Sequence, residues 1–358
     1  MNSKTLGLDP ANKLTIDGLS ATCLSLACLL VCFFFVLPAA HAESGFEVHE
    51  IAAGVWVHTG EIGDFAPENK GDLANLGFVI GARCVAVIDT GGSRWVGEAL
   101  LGAIRSKTKL PICYVIATHM HPDHLLGHAA FLDEHPQFVA AASQARALII
   151  RREGYLSRQK AILGENLAQG TEVVLPNHPI IGTEQLDLGG RMLTVKTWRT
   201  AHTDNDLTVQ DSQTHTLFTG DLLFVDHLPV IDGSIKGWLA ILPELGALAH
   251  EEEKSVPVVP GHGPDTGRSD KELQRLEVIT TKPTGPEIGQ TKDISSAYFA
   301  AETDYLSSVA KEVRGALKAQ QTLQQTVSSS TLPAHWKLVE WYHRRNITAA
   351  FAELEWED

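Results

Sequence analysis

An α/β fold with a helical C-terminal region is predicted by three features of this 358-residue chain. Residues 84–88 form an unbroken apolar run, a helix begins after Ser93, and a second apolar run follows at 112–118. Buried strand, helix, buried strand is the pattern of a βαβ unit. Three later apolar strands lead through small or turn residues to His202, Asp221 and His262, and open sheets place their sites at strand ends. From Thr291 the apolar spacing turns helical over 293–326 and 332–354, with Trp336, Trp341, Tyr342, Ile347 and Phe351 as anchors.

In order, the chain first shows an apolar run at 24–37, too short to span a membrane comfortably. Ala40-His41-Ala42 follows as a small-x-small cleavage site. A secretory signal peptide over 1–42 is expected, with the mature chain starting at Glu43 in a secreted or periplasmic location. An uncleaved N-terminal anchor is the alternative. Lys4 and Lys13 balance Asp9 and Asp17, so the mature part keeps the whole net charge of −14. An acidic surface argues against nucleic acid or an anionic membrane as partner. A small-molecule substrate is expected, with no stable membrane insertion after signal cleavage, and the oligomeric state stays open. Of the five cysteines only Cys84 and Cys113 lie beyond residue 42. Each begins an apolar β run; they are either a disulfide or two buried thiols.

Residues 46–51 and 55–58 read as strands, 59–75 as a polar, Gly-rich loop with Phe65 in its middle, and 76–80 as a strand again. That loop is either a lid or a surface excursion. Asp89 ends the strand that starts at Cys84, and Ser93 caps a helix to about Lys107. A helix is expected over 125–132, a strand over 138–141, a helix over 144–158 and irregular chain over 163–180. A hairpin turning at Gly189-Gly190, strands at 207–210 and 216–219, a helix over 235–252 and a strand over 255–260 complete the series.

The densest chemistry lies at Thr118-His119-Met120-His121-Pro122-Asp123-His124, between the strand at 112–117 and the following helix. Strand parity turns His119 and His121 to the same face, and Pro122 bends the chain so that Asp123 and His124 point elsewhere. Such a division suits two adjacent metal ions, with imidazole and carboxylate donors appropriate to Zn²⁺, Fe or Mn. Asp89, at the end of the neighbouring strand, is placed to accept a hydrogen bond from a metal-bound imidazole.

The set His119-x-His121-x-Asp123-His124, then His202, Asp221 and His262, resembles the metallo-β-lactamase superfamily. Asp89-Thr90-Gly91-Gly92, Gly220-Asp221 and Pro260-Gly261-His262-Gly263 strengthen the resemblance, which covers residues 46–263. It implies an αββα sandwich of two mixed sheets flanked by helices. Residues 43–285 would be the catalytic domain and 286–358 a helical extension packed on it. It also implies that His119, His121 and His202 hold one metal, Asp123, His124 and His262 the second, and that Asp221 bridges both. Many β-lactamases carry cysteine where Asp221 stands; the aspartate looks more like glyoxalase II and the general hydrolases of the superfamily. Residues 55–93, 202–206 and 344–355 resemble secreted metallohydrolases associated with quinoprotein or sulfur-oxidation systems.

The activity so implied is that of a dinuclear zinc hydrolase in which a metal-bridging hydroxide attacks a thioester, lactone or β-lactam carbonyl. Asp123 and Asp221 are the catalytic carboxylates, Asp123 orienting the nucleophile. Phe65, His227 and Ser234 are candidate substrate contacts. Two alternatives stand beside it: class B-like β-lactamase activity, and a mononuclear Fe(II) oxidoreductase of the persulfide dioxygenase kind, which uses a similar ligand set. A non-catalytic module would be expected to have lost ligands, and all seven are present.

Overall fold

The computed structural model describes residues 46–251, 254–267 and 293–357. The expected signal peptide lies outside them. Among the described residues, no helix is long and apolar enough to cross a membrane.

The first sheet is built from β1 (His49–Ala52), β2 (Val55–His58), β3 (Leu76–Ile80), β4 (Val85–Ile88), β5 (Ile112–Ile116), β6 (Gln137–Ala141) and β7 (His178–Ile180), in that spatial order. Its first three pairings are antiparallel and its last three parallel. Helix α1 (Arg94–Lys107) joins β4 to β5, which makes the βαβ unit, and the Ser93 hydroxyl caps it by accepting from Val96 N. Helix α2 (Pro122–Leu125), α3 (Gln144–Leu163) and α4 (Glu165–Ala168) fill the remaining connections.

The second sheet comprises β8 (Thr183–Asp187), β9 (Met192–Thr197), β10 (Leu207–Asp211), β11 (Leu217–Phe224) and, beyond α5 (Ile235–Leu248) and the short pair β12 (His250–Glu251) and β13 (Lys254–Ser255), β14 (Val258–His262). Its order is β14-β11-β10-β9-β8, parallel at β11/β14 and antiparallel elsewhere. Three helices close the chain: α6 (Ile294–Lys318), α7 (Leu323–Ser329) and α8 (Val339–Leu354).

Parity sorts the side chains into layers. In β4, Val85 and Val87 face α1, packing with Val96, Leu100 and Ile104, while Ala86 and Ile88 face the second sheet. Val195, Leu207, Val209 and Phe218 meet them from the other side. The outer face of the second sheet, through Leu217, Leu223 and Val258, is covered by α5, α6 and α8. This is the αββα sandwich, with the C-terminal helices packed on its second outer layer. The central strands β3, β4, β11 and β14 are buried on both faces, hence their continuous apolar runs, whereas β8 and β9 at the edge of the second sheet keep partly exposed residues.

Several expectations need correction. The segment after Asp123 is one turn of α2 followed by a 3₁₀ helix, Leu126–Glu134. Residues 163–180 hold α4 and the edge strand β7. The helix expected over 293–326 breaks into α6 and α7, because Gln320 adopts the left-handed region. The helix expected from 332 begins only at Val339, after Leu338 at φ 61°.

Cys84 and Cys113 form a disulfide between the neighbouring strand segments, with a Cα–Cα distance of 5.7 Å. It closes a loop of sequence separation 29. Chain entropy predicts that Cys84→Ser with Cys113→Ser lowers stability by about 3–4 kcal/mol. Urea melts of the two proteins, and of the parent with and without reductant, measure this; equal midpoints would refute it.

Candidate metal centre

β5 ends at Ile116, the chain bends through residues 118–120, and His121 is extended at φ −70° and ψ 145°. Met120 packs into the core with Ala117, Leu125 and Leu126, while His119 and His121 lie together among the candidate ligands. Pro122 then starts α2, as its fixed φ favours at a first helical position, and puts Asp123 and His124 in the first turn. His202 comes from the loop between β9 and β10, which Asp206 shapes by accepting from Thr203 N and its hydroxyl. Burial pushes the Asp206 carboxyl up to about 8. His262 ends β14.

Asp221 corrects the expectation that every candidate sits where a strand stops, since it lies inside β11. There the pairing with β14 shifts register, from Gly220↔Pro260 to Phe224↔His262. Gly220 has φ +52° and faces Thr118, where a Cβ would approach the side chain within 2.6 Å. The irregularity turns Asp221 into the centre.

The seven residues gather as two groups, His119, His121, His202 and Asp221 in one, Asp123, His124 and His262 in the other. In the first group, His202 Nε2 lies 2.9 Å from His121 Nδ1, and Asp221 Oδ2 is 3.4 Å from His202 Nε2 and 3.6 Å from His119 Nε2. In the second, His262 Nε2 is 3.3 Å from Asp123 Oδ2 and 3.4 Å from His124 Nε2. Asp221 Oδ1 reaches the same pair at 3.5 and 3.1 Å. Neighbouring donors of a tetrahedral zinc site are about 3.3 Å apart, given metal–ligand bonds near 2.0–2.1 Å. Both groups match that spacing, and Asp221 sends one oxygen to each.

Outer partners fix which nitrogen of each imidazole points inward. His124 Nδ1–H donates to Asp89 Oδ2 (2.8 Å), His202 Nδ1–H to Val230 O (2.6 Å) and His262 Nδ1–H to Leu73 O (3.0 Å). The Thr118 hydroxyl donates to Asp89 and therefore accepts from His119 Nδ1–H at 3.1 Å. His121 Nε2–H donates to Asp232 Oδ2 at 3.1 Å. Five imidazoles thus aim bare lone pairs inward, and the buried His119 Nε2 and Asp221 Oδ1 lack a hydrogen-bond partner among the described residues. A pair of metal ions would satisfy such a set, and the donors fit one.

Burial lowers the pKa of His119 well below the ordinary value and that of His202 to about 4. For His124 and His262 burial acts the same way, but facing carboxylates, Asp221 foremost, outweigh it; His124 rises well above the ordinary value and His262 to about 9. A histidine raised in the folded state contributes stability that is complete below the unfolded pKa near 6.5 and lost as pH rises through the folded value. The metal-free protein is therefore expected to lose up to about 3 kcal/mol between pH 6.5 and 9. The loaded protein, its sites deprotonated by metal, should lose little, and metal affinity should rise over the same window. Thermal melts of chelated and reconstituted protein at pH 6, 7.5 and 9 test this; parallel curves would contradict it.

Of the expected substrate contacts, His227 borders the centre, its ring 4.9 Å from that of His262 and 5.4 Å from Tyr342. Ser234 does not serve there: its hydroxyl caps α5 by accepting from Gly237 N and donates to Glu353 at 2.6 Å. Phe65 packs on Gly71 and Gly92, where Cβ atoms would come within 3.0 and 2.6 Å of its ring. The 59–75 loop is tied down beside the centre, with Asn75 N donating to Gly261 O and the Asn75 amide to Pro260 O and Gly263 O. Sequence reasoning overlooked Asp232, although a carboxylate in the otherwise apolar 228–233 loop is a readable signal. It also overlooked the Leu73 and Val230 carbonyls, which carry no sequence signal.

A family profile described as "Metallo-beta-lactamase superfamily" matches residues 70–285. No curated protein matches the chain in sequence. Among solved structures, a metallo-beta-lactamase from Pontibacter korlensis is 23% identical, with TM-score 0.49, covering 66% of this chain and 99% of its own. A metallo-beta-lactamase from Hirschia baltica is 21% identical, with TM-score 0.48, covering 65% and 97%. TMB-1 is 24% identical, with TM-score 0.46, covering 65% and 95%. On the family match, across more than half its length, this chain belongs to the metallo-beta-lactamase superfamily and is a metal-dependent hydrolase.

Proposed function

We propose that the protein is a dinuclear zinc hydrolase acting on a carbonyl-type bond of a small molecule, a thioester, lactone or β-lactam. The observation that carries this reading is the division of Asp221, with Oδ2 facing His119 and His202 and Oδ1 facing His124 and His262. His119, His121 and His202 would hold one ion, Asp123, His124 and His262 the other, and Asp221 both. Bound there, two divalent ions would supply Lewis acidity and lower the pKa of an attacking water.

The chain's own groups do the rest. His121 and Asp123 have the most exposed ligand side chains, 20% and 17%, and mark the mouth. Burial would raise the Asp123 pKa, but His124 and His262 hold it well below the ordinary carboxylate range. It is ionised at neutral pH and orients an incoming water by accepting its hydrogen bond. Asp89 and Asp232 keep His124 and His121 in the tautomers that leave the inner nitrogens bare. His227 and Tyr342 form a wall beside His262. No serine or cysteine nucleophile is required.

Secretion after cleavage behind Ala42 belongs to the same proposal; the Cys84–Cys113 disulfide supports it, because such bonds persist in oxidising compartments. The test uses protein expressed with its full leader. Mass spectrometry of the exported form should give Glu43 as first residue. Metal analysis should give two zinc ions per chain, and a panel of nitrocefin, lactoylglutathione, lactones and aryl phosphates should show turnover of a carbonyl substrate that chelation abolishes. One iron per chain with oxygen uptake, or a two-zinc protein inert on the whole panel, would overturn it.

A further inference from the structure

The bulge that presents Asp221 leaves backbone groups for other elements to satisfy. From Gly220 to Phe224, β11 runs four residues while β14 advances only two, from Pro260 to His262. Ladder bonding resumes at Val225, whose N–H donates to His262 O at 3.0 Å. Within the bulge, Leu222 O accepts from the indole Nε1–H of Trp238 on α5 at 3.2 Å, and Phe224 N donates to Glu302 Oε2 on α6 at 3.2 Å. Both side chains are wholly buried.

Glu302 is an expensive residue in that place. It lies on the apolar face of α6, which buries Phe299, Leu306 and Val309. Its second oxygen, Oε1, has no hydrogen-bond partner among the described residues. A leucine there would avoid the desolvation cost of a carboxyl group. What the carboxyl does is hold Phe224. The Phe224 ring stacks on His262, with centroids 5.4 Å apart and planes 7° apart, and meets His202 edge-on at 5.6 Å. The Trp238 ring meets His202 at 5.5 Å. These two aromatic rings, with centroids 6.1 Å apart, are thus a floor under one imidazole of each group, and β11, which bears Phe224, also carries Asp221.

We propose that Glu302 and Trp238 are positioning residues of the metal centre, holding the β11 bulge so that Asp221 faces both imidazole groups. The C-terminal helix α6 is then part of the centre's scaffold. This inference rests on the two-metal reading above.

The test compares Glu302→Leu, Glu302→Gln and Trp238→Phe with the parent mature chain. Glutamine keeps an acceptor for Phe224 N; leucine fills similar volume without one; phenylalanine keeps an aromatic ring but removes the indole donor. The readouts are zinc affinity by chelator competition, the visible spectrum of the Co²⁺-loaded protein, and urea stability. Glu302→Leu should bind the pair about 10–100-fold more weakly, the range for residues that orient ligands. It should also alter the Co²⁺ spectrum. Glu302→Gln should restore both to within about threefold of the parent, whatever its stability, and Trp238→Phe should weaken binding several-fold. Parental affinity and spectrum in Glu302→Leu, with only stability lost, would overturn the proposal. If that variant does not fold, parental metal binding in Trp238→Phe, or a Glu302→Gln protein no better than metal-free, overturns it instead. A parent chain that binds no metal pair would instead refute the function proposed above.

Discussion

Asp221→Ala is expected to reduce bound metal from two ions to at most one weakly held ion, and to lower kcat/KM by more than the roughly 10–100-fold typical of ligand-supporting residues. Both carboxylate oxygens are committed, each within 3.1–3.6 Å of two inward imidazole nitrogens. Their removal takes a donor from each group and the negative charge that the two groups share. His124 and His262 would lose the leading influence that raises their pKa values, so both should titrate nearer the ordinary range. Asp221→Asn keeps the shape but replaces one acceptor oxygen by an amide that only donates, so it should lose the pair as well. Metal analysis after dialysis, with kinetics on a responsive substrate, decides the matter. Two tightly held ions in either variant would show that Asp221 does not bridge.

The second large effect is steric. In Gly261→Ala the new Cβ would stand 1.9 Å from Asp221 Oδ1, 2.8 Å from the Gly220 carbonyl carbon and 2.9 Å from Asp221 N. Two of these neighbours are backbone, so relief must come from displacing the carboxylate or separating β11 from β14. A stability loss of about 1–3 kcal/mol is expected from the overpacking. Metal affinity should fall with it, because Asp221 moves and His262 is the next residue. Gly102→Ala on α1 and Gly315→Ala on α6 are the controls. Neither new Cβ meets anything within 4 Å, and a helical Gly→Ala exchange gains about 0.5–1 kcal/mol. Calorimetry and zinc titration of the three variants would expose a general glycine effect if Gly261→Ala behaved like the controls.

Local physics was legible in the chain. Apolar runs marked β3, β4 and β5 and the first residues of β11, whose continuation past Asp221 was not read, and Ser93 marked the start of α1 because its hydroxyl can satisfy an open amide. The strand parity expected across His119-Met120-His121 does not apply, since residues 118–120 bend after β5 ends, yet His119 and His121 still fall in one group and Asp123 and His124 in the other. Boundaries governed by left-handed residues were not legible. Gln320 ends one helix and Leu338 precedes another, though neither residue type announces positive φ.

Residue type and short-range spacing in the sequence pointed to a βαβ-containing α/β fold and to a His/Asp cluster at 119–124, and the family resemblance added the αββα class and the full set of seven candidate donors. The division of the donors was implied by the resemblance; only the tertiary structure showed what arranges it. Asp221 divides between two groups because β11 bulges against β14, and Gly261, forty residues later, leaves room for the carboxylate. Leu73 and Val230 supply carbonyls, Asp232 a carboxylate, and Glu302 and Trp238 support the bulge from two helices. Ser234 shows the converse: a hydroxyl that reads as a substrate contact becomes a helix cap once Gly237 and Glu353 reach it. Such roles depend on backbone groups and long-range proximity, which come into being only when the two sheets and their outer helices pack together.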